Sequence, residues 1–274
     1  MFRFVDAPNI VVAGTIIHYS PKPAGQPGPP DSVEMEVEGY ETEVNALLTR
    51  IRWTWTGWAL IKDLWRVRKT MVIIPWSELP YLDSTNRWQG FNATSSSSYV
   101  PKLTDGPGPL NSDAIYSTVP GWNALVRFNP DMWTAGAVAQ VGFIAKPADF
   151  VKAPGVGRDE ILLHEMVHGL RQIRGTTDSH KPADSPGMDT VEEFMAIVVS
   201  NVYRSELKRP GLRADHHGFS ALPTAQENPS VFLSRAGKHG ESNLSRMKQF
   251  KKDNPDFFED LKKSPASFNP FKLV

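Results

Sequence analysis

The stretch that most constrains how this chain can fold is Asp159 to Gly175, DEILLHEMVHGLRQIRG, which combines a core-facing apolar stripe with metal-ligating side chains. Leu162, Leu163, Met166, Val167 and Leu170 recur at the three-to-four spacing of a helix packed into a core. Within the same stretch His164, Glu165 and His168 form the pattern HExxH. Residues four apart share a helix face, so both imidazoles can reach one metal ion while Glu165 stands beside them. Asp159 is the expected N-cap of this helix and Gly175 its expected end.

A hydrolytic zinc centre takes three protein ligands and leaves a fourth position to water, so the two histidines need a partner. The chain has no cysteine, which excludes disulfides, thiolate zinc sites and a cysteine nucleophile and leaves His and carboxylates as ligands. Arg171 and Arg174 stand where the three-histidine subclass of HExxH proteins carries Gly and His, so that subclass is excluded. The segment GTTD at Gly175 to Asp178 matches the GTxD of the aspartate-ligand subclass, but Asp178 lies only ten residues past His168. That is short for a chain that must leave one helix and return to the metal, so Asp178 and His180 are the weaker candidates. Glu192 and Glu193 open a second helical stretch about two dozen residues after His168, a loop long enough to bring a second helix beside the first. Adjacent helix positions are about 100° apart, so only one of the two can face the metal. Thr190 also offers Glu193 a different use, as the closing residue of a capping box.

The rest of the chain supplies a frame for these helices. With 274 residues, 40% of them hydrophobic, it can bury a substantial core, and it reads as a single α+β domain of residues 1–274. Strands are expected at Ile10 to Tyr19, Thr70 to Trp76, Ala124 to Phe128 and Val138 to Ile144. Ser20 to Ser32 is a Pro- and Gly-rich loop, and Asn92 to Asp113 a long surface loop. From Glu41 a helix carries Val44, Leu47, Leu48, Ile51, Trp55, Trp58 and Trp65 at helical spacing, with a break near Thr54 to Gly57, and its tryptophans are expected in the core. The second long helix runs from Val191 to Lys208 and stops before Pro210. The core thus spans about 36–209, and a loop and helical part follow at 210–274. Pro210 to Ser230 looks irregular, Ser242 caps one short helix, and Asn254 with Pro255 starts another that packs through Phe257, Phe258 and Leu261.

Lys plus Arg equals Asp plus Glu at 30 each, so no global field attracts nucleic acid or an anionic membrane, and a polyanion-binding role is disfavoured. Asp6 and Pro8 break the N-terminal apolar run, and no stretch approaches the ~20 apolar residues of a spanning helix. Neither a secretory signal nor a membrane anchor is expected.

Taken together, HEMVH at 164–168 and EEFMA at 192–196 resemble the glutamate zincins, including the effector and toxin metallopeptidases that bacteria deliver into other cells, such as the type III effector family of zinc proteases. The likeness covers roughly Pro154 to Tyr203. It implies a zincin-like fold, a small mixed sheet over the HExxH helix, one Zn2+ per chain and hydrolysis of a peptide bond in a protein of a target cell. In that pattern the ligand glutamate precedes two apolar residues, as Glu193 precedes Phe194 and Met195, giving the metal set His164, His168 and Glu193 with Glu192 as the alternative. Glu165 is then the general base that takes a proton from water and passes it to the leaving amine. The donor to the developing oxyanion is expected to be His217, with His216 and Tyr203 as alternatives, although Tyr203 also fits a core tyrosine. Asp189, Ser200 and Asn201 are candidates for orienting a ligand histidine. Peptide deformylases share HExxH but take a cysteine ligand that this chain lacks. The partners expected are a protein substrate, no nucleic acid and no membrane span. The place expected is the producer's cytoplasm, then a target cell reached through a dedicated secretion system. A catalytically silent zincin-like binding module and an ordinary cytosolic metallopeptidase are the alternative readings.

Overall fold

A computed structural model describes residues 2–20, 31–75, 81–82, 88–89, 112–116, 123–130, 153–177, 190–216, 219–236 and 241–274. Four strands come first, β1 (Phe2–Arg3), β2 (Ile10–Val12), β3 (Thr15–Ser20) and β4 (Asp31–Glu36). Helices α1 (Tyr40–Arg52) and α2 (Trp55–Val67) follow, then β5 (Met71–Ile74), β6 (Tyr81–Leu82), β7 (Trp88–Gln89), β8 (Ser112–Tyr116) and β9 (Ala124–Phe128). Next are the two site helices, α3 (Arg158–Arg174) and α4 (Val191–Glu206), and the C-terminal helices α5 (Pro229–Ser234), α6 (Asn243–Asp253) and α7 (Pro255–Lys262).

The main sheet has the order β1-β2-β5-β9-β8, with β2, β5 and β9 parallel and the edge strands β1 and β8 antiparallel. Parallel strands are covered on both faces, which explains why IVV and MVII are apolar without interruption. Ile10, Val12, Met71, Ile73, Ala124 and Val126 face the large core, while Val11, Val72, Ile74 and Leu125 form a small cluster on the other side. The strands β3 and β4 pair with each other as a separate antiparallel sheet, as do β6 and β7.

Helix α3 lies against β8 and β9 and against α1, α2 and α4. Its approach to the sheet is close at Gly169, where a Cβ would stand 2.5 Å from the flexible tip of Met71 at Cε, which would have to move aside, and 3.5 Å from Val126 Cγ2. Gly175 ends the helix in the left-handed conformation at φ 68°, as the sequence predicts. The break between α1 and α2 is also where the sequence puts it. Thr54 caps α2 through a bond from the Gly57 N–H, and the Glu206 carboxylate from α4 accepts from the backbone N–H groups of Trp55 and Thr56. At the C-terminus Ser242 caps α6, Pro255 opens α7, and Phe257, Phe258 and Leu261 are buried beside Phe250 and Phe271.

Several expectations are corrected. Ile10 to Tyr19 divides between two sheets, with β2 ending at Val12 and β3 starting at Thr15. Ser20, Asp31 and Ser32 belong to β3 and β4, and Ser112 and Asp113 to β8, at the ends of segments that composition marked as loops. Asp159 sits inside the first turn of α3, and Gly157 is the N-cap, because the Asp159 carboxylate bonds to Tyr203 and Arg209 instead. Pro229–Ser234 is a helix, capped by Asn228. Trp55, Trp58 and Trp65 are exposed, since Ala59, Leu60, Ile61 and Leu64 fill the inner face of α2. Val138 to Ile144 lies outside the described residues.

Candidate metal centre

Helices α3 and α4 run antiparallel and are tied together at both ends. At one end Arg204 Nη1 donates to Glu160 at 2.8 Å, and Arg209 and the Tyr203 hydroxyl each reach Asp159 at 2.7 Å. At the other end Arg171 Nε donates to Glu192 at 2.8 Å. Carboxylates near a helix N-terminus and arginines near a C-terminus also suit the backbone dipole. Between the two ties, one face of α3 meets the first turn of α4.

There His164, His168 and Glu193 converge, each offering a ligand atom within 4.8 Å of the others. His164 Nε2 is 3.0 Å from His168 Nε2 and 3.1 Å from Glu193 Oε2, and His168 Nε2 is 3.4 Å from Glu193 Oε1. Donors about 2.0–2.1 Å from a tetrahedral zinc stand about 3.3 Å apart, so the separations fit that ion. Two imidazole nitrogens and a carboxylate are also the donor types it takes. Thr190 does cap α4 by accepting from the Glu193 N–H, but the Glu193 carboxylate turns to the histidines and leaves the capping box open.

The charges respond to this crowding. Burial pushes the His164 imidazole down to about 3, with the charge at His168 adding to the effect against the pull of Glu193. Burial would also lower His168, but Glu193 and Glu192 raise it well above its ordinary value. Burial would raise Glu193, yet His168 and His164 hold it far below the usual carboxylate range. Glu193 thus carries a negative charge beside a neutral His164 and a protonated His168.

Glu192 points elsewhere on the helix turn and accepts from His168 Nδ1 at 3.1 Å. Arg171 and His168 together keep its carboxyl below the usual range against burial. This fixes the His168 ring with Nε2 facing the convergence point, the carboxylate-to-histidine arrangement common behind metal ligands. The candidates named for that task do otherwise. Ser200 Oγ bonds to the Ala196 carbonyl at 2.9 Å, Asn201 bonds to the backbone of Arg213, and Asp189 lies outside the described residues. His164 Nδ1 is buried with no partner among the described residues.

Glu165 is buried beside the histidines on α3 and its charge is felt by His168. Of the oxyanion candidates, His216 is at the centre, with Nε2 at 3.4 Å from Glu193 Oε2 and its ring stacked on His164 at 6.4 Å. Tyr203 is fully buried with its hydroxyl on Asp159, which removes it from that role. His217, Asp178 and His180 lie outside the described residues. The loop bearing His216 is held by Arg213, which sequence reading missed. Its buried guanidinium, lowered by burial to about 10, donates to the carbonyls of Asp215 at 2.7 Å and of His216, and lies 4.3 Å from the Phe219 ring. Asn201 fastens the Arg213 backbone to α4 through both its N–H and its carbonyl, at 2.7 and 2.9 Å.

A family model, Peptidase_M91, described as effector protein, matches residues 32–246, a span that contains both site helices and the His216 loop. No curated protein and no solved structure matches significantly.

Proposed function

The chain belongs to the Peptidase_M91 effector protein family, and on that premise we propose that it is a zinc-dependent endopeptidase with a zincin-like catalytic domain, acting on a protein in a target cell. The observation that carries the reading is the convergence of His164, His168 and Glu193 at separations of 3.0 to 3.4 Å. The family supports a peptidase and delivery into another cell.

His164 and His168 would hold the metal from α3 and Glu193 from α4. Zinc, when bound, supplies the Lewis acidity that brings water towards ionisation at neutral pH and draws charge from the scissile carbonyl. Glu165 accepts a proton from the attacking water as its oxygen bonds to the carbonyl carbon. It returns that proton to the amine nitrogen as the carbon–nitrogen bond breaks, leaving one carboxylate and one amine terminus. His216, on the loop held by Arg213, or its chain neighbour His217 donates to the carbonyl oxygen as it gathers charge. Glu192 and Arg171 keep His168 in register throughout.

The test compares wild type with Glu165→Ala. Both purified proteins should carry about one zinc, and new protein N-termini should appear only in cells given the wild type. Retained zinc with no new N-termini in either sample would favour a silent binding module, and an active protein free of metal would sink the proposal.

A further inference from the structure

Five of the large apolar side chains exposed among the described residues belong to one face. Val5, Trp53 and Trp65 are exposed by 83%, 76% and 57%, and Trp55 and Trp58 stand out as well. Trp55, Trp58 and Trp65 lie three and seven residues apart, which makes a single ridge about 15 Å long on the outer side of α2. The Arg52 guanidinium joins the remaining members to it, at 5.3 Å from the Trp53 ring and 5.7 Å from the Trp58 ring. Arg52 also pairs with Asp6 at 2.5 Å, which brings Val5 alongside. Helix α2 is therefore apolar inside and aromatic outside, and a contiguous patch of this kind marks an interaction surface.

The charge on the ridge decides its partner. Lys62 lies between Trp58 and Trp65 and Arg66 follows Trp65, and their partner Asp260 lies beneath them, with its side chain 7% exposed against 31% and 36% for theirs. Arg68 ends the helix and is exposed. What the ridge presents outward is indole and cation. Indole rings prefer the boundary between water and hydrocarbon, and Lys and Arg beside them meet anionic headgroups. The Trp55 indole N–H donates inward to the Asp260 carbonyl at 2.9 Å, which anchors that ring at the edge of the face. The four large side chains of the ridge and its foot are all tryptophan, with none of the Leu, Ile or Met that fill a dry protein groove. Neutrality of the whole chain conceals this local excess, so the surface acts at contact range and not through a long-range field.

We propose that the tryptophan face of α2 docks the protein on an anionic lipid bilayer, with the indoles at headgroup level and without any segment crossing. The proposal is independent of the peptidase chemistry. It is tested with the full chain and vesicles of phosphatidylcholine, with and without phosphatidylserine. Co-sedimentation and a blue shift of tryptophan emission are expected with phosphatidylserine, roughly tenfold weaker without it, and falling with salt. The Trp58→Ser, Trp65→Ser double variant should lose vesicle binding while keeping a cooperative thermal transition, and Trp65→Ser alone, at the more exposed ring, should weaken binding with the wild-type melting temperature. Arg68→Glu should weaken binding without altering the blue shift per bound molecule. Failure to bind either vesicle, undiminished binding by the double variant, or self-association through this face in place of vesicle binding would overturn the proposal. So would capture only by another protein.

Discussion

Glu192 and Glu193 are consecutive residues with the same side chain, and a rotation of about 100° along α4 gives them different tasks. Glu193 meets both Nε2 atoms, while Glu192 receives His168 Nδ1 and is held by Arg171. Glu192→Gln keeps the shape but removes the charge that orients His168. Zinc affinity should fall about 10- to 100-fold, as measured by competition against a chromophoric chelator, and Glu193→Gln should fall further because a ligand is lost. Equal affinities for wild type and Glu192→Gln would show that the contact orients nothing. The residues on α3 were legible in the sequence because the helical period alone puts His164 and His168 on one face with Glu165 beside them. Choosing between the glutamates needed the phase of a second helix, which the family likeness supplied and spacing did not. Arg171 was visible only as an argument against a third histidine, since its partner lies across a helix contact that no local pattern encodes. Arg213 left no signal either, because it acts on backbone carbonyls through a loop.

At the scale of elements, the ties between α3 and α4 decide whether the ligand set stays assembled. Asp159 and Glu160 are buried in the first turn of α3 and depend on Arg204 and Arg209 from the end of α4 and beyond it. Burial would raise the Asp159 carboxyl, but the bonds from Arg209 and Tyr203 overcome it and hold the group below its ordinary value. A depressed carboxyl adds stability that is complete above the unfolded value, about pH 4, and is lost as pH falls through the folded one. Arg209→Ala should therefore cost about 1 to 3 kcal/mol near neutral pH. Its stability should also fall less steeply than wild type below about pH 4, measured by urea unfolding across that range. Parallel curves for the two proteins would exclude Asp159 as the source. The helices themselves were readable because long apolar periods, Thr54, Ser242 and Gly175 mark their bodies and ends. The edge strands were not, since β4 and β8 begin in polar runs such as DS and SD that composition assigns to loops. Tryptophan misled for a related reason, because periodicity reports a helix face but cannot say whether a second face is covered.

For the whole molecule, the metal is expected to act as a bolt between parts distant in sequence. His164 and His168 come from the helix packed on the sheet, and Glu193 comes from the helix that carries Phe194 towards Phe232 and Phe268 of the C-terminal part. One continuous set of buried apolar side chains, from Phe4 to Phe271, already connects these parts, so folding need not wait for the ion. A ligand that binds only the folded state still adds about 2.7 kcal/mol at a hundredfold excess over its dissociation constant. For a chain of this size that corresponds to a rise of about 5 °C in melting temperature. Treatment with EDTA should lower the melting temperature by that amount, and zinc added back after removal of the chelator should restore it. His168→Ala and Glu193→Ala should melt at the same temperature with and without zinc. Glu165→Ala should respond as wild type does, because Glu165 is proposed to move a proton and not to hold the metal. A melting temperature indifferent to zinc in the wild type would mean that the three side chains meet without binding it, and the peptidase reading would lose its centre.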